Sequence, residues 1–317
     1  MSVEILNGNS ADVVKTLPDE SIDCVVTSPP YFGLRDYGVD GQFGLEKTPN
    51  EYVSVMVNLF REIRRVLKDA GTIWINIGDS YFNTLHGGFH EQGKTSIVKN
   101  DRFKGSQITQ EPFGLKRKNL IGIPWKLAFA LQEDGWYLRQ DIIWYRPNSM
   151  PESVKDRCAK AHEYIFLLSK KEKYYFDLDA IKEDCESPVQ PRTKNNGESA
   201  VDTKIRGSNG GCGTQDKRTK RSVWVVPTKG FAGAHFAPYP KALITPCILA
   251  GCPEGGTVLD PFFGTGTTGC VCNELGRNCI GIELNPEYIE IAKTRLAGFE
   301  KREELISAKI DYDDLDI

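Results

Sequence analysis

The sequence predicts an α/β protein built on a doubly wound, mostly parallel sheet, and three observations carry that prediction. Apolar runs of strand length alternate with amphipathic runs of helix length along most of the 317 residues. A glycine-rich turn, Gly264-Thr265-Gly266-Thr267-Thr268-Gly269, follows the apolar run Thr257 to Asp260 and leads into helix-forming residues, as ligand loops do at the C-terminal ends of parallel strands. Only residues 270–317 follow that turn, so the strands that complete its sheet must come from earlier in the chain.

Taken in order, Val3 to Leu6 reads as a short strand and Ser10 to Leu17 as a helix capped by Asn9 or Ser10. Ile22 to Val26 is a buried strand, closed by Thr27-Ser28-Pro29-Pro30-Tyr31. Thr48-Pro49-Asn50-Glu51 is a capping box with proline at the first helical position, so a helix runs from Pro49 to about Lys68. Its stripe of Tyr52, Val55, Met56, Leu59, Ile63 and Val66 suits packing against a sheet. Gly71 to Ile77 is the next buried strand, Pro124 to Glu133 a helix, and Tyr137 to Trp144 and Glu163 to Leu168 two further strands. After Ser222 come a short strand, Val223 to Val226, and a helix, Pro240 to Gly251. The strand Thr257 to Asp260, a helix through Leu275, the strand Asn278 to Glu283 and a helix capped by Asn285-Pro286 close the fold.

Composition bounds the function. No apolar run approaches the roughly 20 residues of a membrane span, and the first residues lack a signal-peptide pattern, so the cytosol is the expected compartment. The nine cysteines are scattered without a Cys-x-x-Cys pair, which reads as free thiols, and no metal site is expected. His86 and His90 stand four apart, but in a glycine-rich stretch and not on a helix. Net charge is −3, yet two segments are locally basic. Residues 191–221 carry eight basic residues, Arg192, Lys194, Lys204, Arg206, Lys217, Arg218, Lys220 and Arg221, against three acidic ones. Residues 94–118 carry seven against two, and both segments suit a phosphate backbone.

Two loops carry the chemistry. Consecutive prolines supply no N–H donor, hold the chain extended and leave carbonyl oxygens free to accept. Ser28, the Pro29 carbonyl, Pro30 and Tyr31 would therefore suit a planar base with an exocyclic amine, its N–H groups accepted and its face covered by the ring. The glycine turn is of the nucleotide-cofactor kind. Gly264, Gly266 and Gly269 satisfy the dinucleotide spacing, and Glu283 stands where a ribose acceptor would, so an NAD-linked oxidoreductase competes. Against it, the Asp260 carboxylate would repel a pyrophosphate and welcome a cationic amino-acid group, which S-adenosyl-L-methionine has. A non-catalytic DNA-binding module would not need the turn. No Gly-Lys-Ser/Thr follows the glycines, which excludes a P-loop.

Thr27-Ser28-Pro29-Pro30-Tyr31 early and Asp260-Pro261-Phe262-Phe263-Gly264-Thr265-Gly266-Thr267-Thr268 late resemble the motifs of the DNA amino-methyltransferases, in the order of their permuted beta group. Gly71 to Ile77, Asp141 to Asn148 with Pro151, Arg157 and His162-Glu163, and His235-Phe236-Ala237-Pro238-Tyr239-Pro240 resemble landmarks of the same family. The resemblance spans about residues 3–297. It implies a circularly permuted methyltransferase sheet with inserted DNA-recognition loops, S-adenosyl-L-methionine as cofactor, DNA as partner, and methyl transfer to an amine of a flipped-out base. A cognate restriction endonuclease and a homodimer stay open.

The implied organisation is one catalytic domain of residues 1–179 and 222–299, a mobile basic loop at 85–118, a target-recognition insert at 180–221 and an acidic tail at 300–317. Asp260, Pro261, Phe262, Gly264, Thr265, Gly266, Thr267 and Phe236 would surround the cofactor, the backbone amides from Phe262 to Gly266 meeting its methionine portion, and Glu283 would accept from the ribose. Asn9 is a weaker candidate for the adenine edge than for a helix cap. Serine at the head of the Ser-Pro-Pro-Tyr quartet leans to N4 of cytosine, with N6 of adenine as the alternative. No cysteine stands in the Pro-Cys setting that C5 methylation of cytosine demands, since Cys247 follows Pro246 inside the expected helix.

Overall fold

The computed structural model describes residues 1–82, 114–184, 217–228 and 239–298. Ten strands are present among them: β1 (Val3–Asn7), β2 (Ile22–Thr27), β3 (Leu67–Ile77), β4 (Tyr137–Tyr145), β5 (His162–Ser169), β6 (Glu183–Asp184), β7 (Lys217–Arg218), β8 (Val223–Val225), β9 (Thr257–Asp260) and β10 (Asn278–Glu283). Helices are α1 (Ser10–Val13), α2 (Pro49–Val66), α3 (Ile123–Glu133), α4 (Lys241–Gly251), α5 (Thr267–Leu275) and α6 (286–298).

Eight strands form one sheet in the order β1-β10-β9-β2-β3-β5-β4-β8. Every neighbouring pair is parallel except those made by β5, which runs antiparallel to both β3 and β4. The mostly parallel, doubly wound sheet read from the sequence is therefore present. From β2 the chain crosses through α2 to β3 on one side, and from β9 through α5 to β10 on the other. Right-handed crossovers in opposite directions place their helices on opposite faces. Accordingly Tyr52, Met56, Leu59, Phe60 and Ile63 of α2 pack in one core, with Leu127 and Leu131 of α3. Leu243, Ile244 and Ile248 of α4 and Val271 of α5 pack in the other.

The order reverses between β2 and β9, which are themselves paired, Cys24 opposite Val258 and Val25 opposite Leu259. That crevice at the strand C-termini is the topological switch point, where open α/β sheets bind ligands. Both chemistry-bearing loops leave the sheet there.

Two boundaries differ from expectation. Helix α2 ends at Val66, because Leu67 turns extended and pairs with Ile22, so β3 begins four residues before Gly71. Run-on of Arg64-Arg65-Val66-Leu67-Lys68 looks helical, but pairing of a fully buried Leu67 outweighs it. The pair β6–β7, antiparallel with Glu183 opposite Arg218, has no apolar pattern and was not expected. The bulk of segments 85–118 and 180–221, the tail 300–317 and Phe236 lie outside the described residues.

Candidate active site

Thr27, the last residue of β2, joins the two loops: its hydroxyl donates to Asp260 Oδ1 at the end of β9, 2.8 Å away. Asp260 is fully buried and also accepts from Thr268 Oγ1 (2.5 Å), Tyr239 OH (2.9 Å) and the Phe262 amide (3.1 Å). Burial pushes its carboxyl above the usual range while those hydrogen bonds pull the other way. Each such bond to an ionised acceptor contributes about 1.5–3 kcal/mol. Four of them offset the several kcal/mol that desolvating a carboxylate costs. With its oxygens so occupied, Asp260 organises the loop; this corrects the expectation that its charge meets the cofactor directly.

The turn itself is held from within. The Phe263 amide donates to Ile282 O, Gly264 N to Glu283 Oε2 at 2.7 Å, and Gly266 N to Phe263 O. The expected cradle of amides from Phe262 to Gly266 is thus largely spent on the turn's own shape. Pro261 O accepts from Ser10 Oγ. Arg295 of α6 donates to the carbonyl and hydroxyl of Thr265 and reaches Thr267 Oγ1, so both threonines, themselves buried, are staked to the helix behind. Gly264 differs. Its φ of +53° requires glycine, and a Cβ there would meet nothing within 4 Å, so open space lies over the turn at this point.

Glu283, at the end of β10, is half-buried and ties Gly264 N to Asn285 N, 2.8 Å from its Oε1. Burial raises its pKa. Beside it, Tyr37 meets Tyr288 edge-on at 6.3 Å, and Phe43 meets Phe262 at 5.4 Å. Asn9 caps α1 through its Oδ1 to Ala11 N and donates its Nδ2 to Gly41 O, which is the cap role favoured from sequence. The segment from Gly33 to Gly44 thus bridges the catalytic loop and the glycine turn, a role that no local pattern announced.

On the other side of the crevice, Ser28 and Tyr31 are half-buried and Pro29 buried. The Pro30 carbonyl is taken by Tyr52 OH at 2.9 Å, whereas among the described residues no donor meets the Pro29 carbonyl. Tyr31 OH donates to Glu163 Oε2 at 2.5 Å, and its ring edge lies so close over Gly78 that a Cβ there would fall 2.6 Å from it. Glu163 pairs with Arg146 at 2.9 Å. Sequence reasoning quoted His162-Glu163 and Tyr239 within motifs but gave them no role, because their partners are 132 and 21 residues distant.

The basic residues divide. Arg218 and Arg221 both pair with Glu183, and Lys220 lies over the Trp224 ring, so three of the four described members of the 191–221 cluster have partners within the fold; they precede β8 and so stand away from the rim where its end lies. Arg192, Lys194, Lys204 and Arg206 lie outside the described residues. Lys116, Arg117 and Lys118, which follow β3, and Lys155, in the β4–β5 connection, are exposed on the rim side.

The DNA methylase family of N6 and N4 enzymes matches residues 22–294. The chain belongs to that family. It is 49% identical to the type II methyltransferase M.SmaI of Serratia marcescens over 93% of this chain and 91% of that protein. Identity to M.Cfr9I of Citrobacter freundii is also 49%, over 93% and 87%. Its fold is similar to the PvuII DNA methyltransferase (cytosine-N4-specific), with TM-score 0.63, 19% identity and coverage of 93% and 86%. It is also similar to a DNA modification methylase of Thermus thermophilus complexed with S-adenosyl-L-methionine, with TM-score 0.56, 21% identity and coverage of 94% and 95%. The protein is a DNA methyltransferase that uses S-adenosyl-L-methionine.

Proposed function

We propose that the protein methylates the exocyclic N4 amine of cytosine at one short DNA sequence. The observation that carries this reading is the joining of Ser28-Pro29-Pro30-Tyr31 to the glycine turn through Thr27 and Asp260 across paired strands. An aryl amine is a weak nucleophile because its lone pair is delocalised into the ring. Ser28 Oγ and the Pro29 carbonyl accept its two N–H bonds and return electron density to nitrogen, while the Tyr31 ring faces the extruded base. Serine at position 28 favours cytosine; N6 of adenine presents the same donors and is the alternative that the test must separate.

S-adenosyl-L-methionine supplies, when bound, an electrophilic methyl group on a sulfonium. The turn fits it on three grounds: open space over Gly264, a half-buried Glu283 able to accept from ribose hydroxyls, and no cluster of free amides of the sort that selects a pyrophosphate. Its cationic amino-acid end would meet carbonyl oxygens of the turn. Exposed Lys116, Arg117, Lys118 and Lys155 contact backbone phosphates, and segments 85–118 and 180–221 read the sequence.

No helix among the described residues is long and apolar enough to cross a membrane. The cytoplasm is the compartment in which this activity meets DNA, and a restriction endonuclease of matching specificity is the partner implied for a type II methyltransferase. Modification-sensitive sequencing of DNA from cells expressing the protein will show N4-methylcytosine at one recurrent short sequence. N6-methyladenine there would transfer the assignment to the adenine alternative.

A further inference from the structure

A serine hydroxyl is both donor and acceptor, and the proposed chemistry needs only one of these. Were Ser28 to donate its proton to the target nitrogen, it would occupy the lone pair that must attack the methyl group. Turnover therefore depends on where the Ser28 proton points, and the residues behind Ser28 decide it.

The Ser28 hydroxyl lies within hydrogen-bonding reach of the Tyr31 phenol. That phenol has committed its own proton to Glu163 Oε2 at 2.5 Å, leaving its oxygen lone pairs to accept. Glu163 is 8% exposed, and as a carboxylate it can only accept. Arg146, which can only donate, faces its Oε1 at 2.9 Å, and Asn76 Nδ2 approaches Oε2 at 3.3 Å. The close approach of the Tyr31 ring to Gly78 prevents the phenol from swinging away. Each member has one possible direction, and the directions agree from Arg146 to Ser28.

We propose that Glu163, acting through the Tyr31 phenol, is a positioning residue that makes Ser28 donate inward and so present only lone pairs to the target amine. This rests on the N4-amine reading above. It gives a buried carboxylate far along the chain a part in the reaction without contact to base or cofactor. It also explains how a hydroxyl serves at a position where an obligate acceptor is needed.

The test is a double-mutant cycle on the full-length protein. Tyr31→Phe keeps the ring and removes the phenol. In Glu163→Gln the amide oxygen turns to Arg146, so its NH₂ faces the phenol and reverses that hydrogen bond. Steady-state kcat and KM for a target duplex at saturating S-adenosyl-L-methionine are measured, with 2-aminopurine fluorescence reporting base extrusion. Each single variant will lower kcat by about 10- to 100-fold, with KM and extrusion within about twofold of wild type. The double variant will lose no more than the worse single, because Glu163 acts only through the phenol. Multiplicative losses in the double variant, or wild-type kcat in Tyr31→Phe, would overturn the proposal. Should Glu163→Gln fail to fold, Tyr31→Phe leaves the Glu163–Arg146 pair intact and decides alone. Absence of N4-methylcytosine from the wild-type product would overturn the N4 reading and this proposal with it; failure of the cycle alone overturns only the proposal.

Discussion

Ser28, Tyr31 and Asp260 illustrate how differently buried polar groups are used within one crevice. Ser28 stands half-exposed with its oxygen available, and Ser28→Ala is expected to cut kcat by about 100-fold or more. Isothermal titration with S-adenosyl-L-methionine checks the complement, an affinity within about twofold of wild type; wild-type turnover would remove Ser28 from the mechanism. Asp260, by contrast, is inside the protein with four donors. Its native pKa is raised by burial above the ordinary value of 3.8. Between that value and the native one, the folded state holds a proton that the unfolded state has lost, so this group's contribution to stability falls as pH rises through the window. Asp260→Asn should flatten the acid limb of a Tm-against-pH curve, while lowering Tm at neutral pH because an amide cannot accept from every donor present. A variant curve parallel to wild type would show that Asp260 does not titrate there. The motif was legible from residue types and order alone. The hydrogen bonds from Tyr239 to Asp260 and from Tyr31 to Glu163 were not, because a long-range partner leaves no local signature.

At the level of elements, the capping box at Thr48, the stripe of α2 and the strands flanking both loops were readable, since each rests on local periodicity. The early start of β3, the antiparallel β5 and the β6–β7 pair were not, since each depends on which strand lies alongside. Two glycines near the turn separate a ligand role from a packing role. Gly264→Ala puts a Cβ at φ +53° into open space, so it should cost about 1–2 kcal/mol of strain and weaken cofactor binding beyond that. Gly281→Ala would place a Cβ 2.3 Å from the buried Phe263 ring, in a well-packed core where overpacking costs about 1–3 kcal/mol. Chemical denaturation with parallel cofactor titration distinguishes them. Greater loss of affinity in Gly281→Ala than in Gly264→Ala, at equal stability, would contradict the assignment of the open side.

For the molecule as a whole, strand order explains why residues near the two ends of the sequence meet: β2 and β9 are neighbours at the reversal point of the sheet. Fold class and crevice were predictable from loops at strand ends, whereas the electrostatic face was only half legible. Composition marked two basic segments, but in the 217–221 stretch Arg218 and Arg221 are tied to Glu183, and the rim displays Lys116, Arg117, Lys118 and Lys155 instead. Replacing Lys116 and Arg117 by alanine should weaken DNA binding and reduce the slope of log K against log salt by about 2, with little change from Lys217→Ala. Fluorescence anisotropy across a salt series reads both.

The most direct measurement is incubation of unmodified plasmid DNA with the protein and methyl-labelled S-adenosyl-L-methionine, followed by digestion to nucleosides and mass identification of the labelled product. N4-methylcytosine is expected. Label in N6-methyladenine or 5-methylcytosine, or no label in DNA at all, would contradict it.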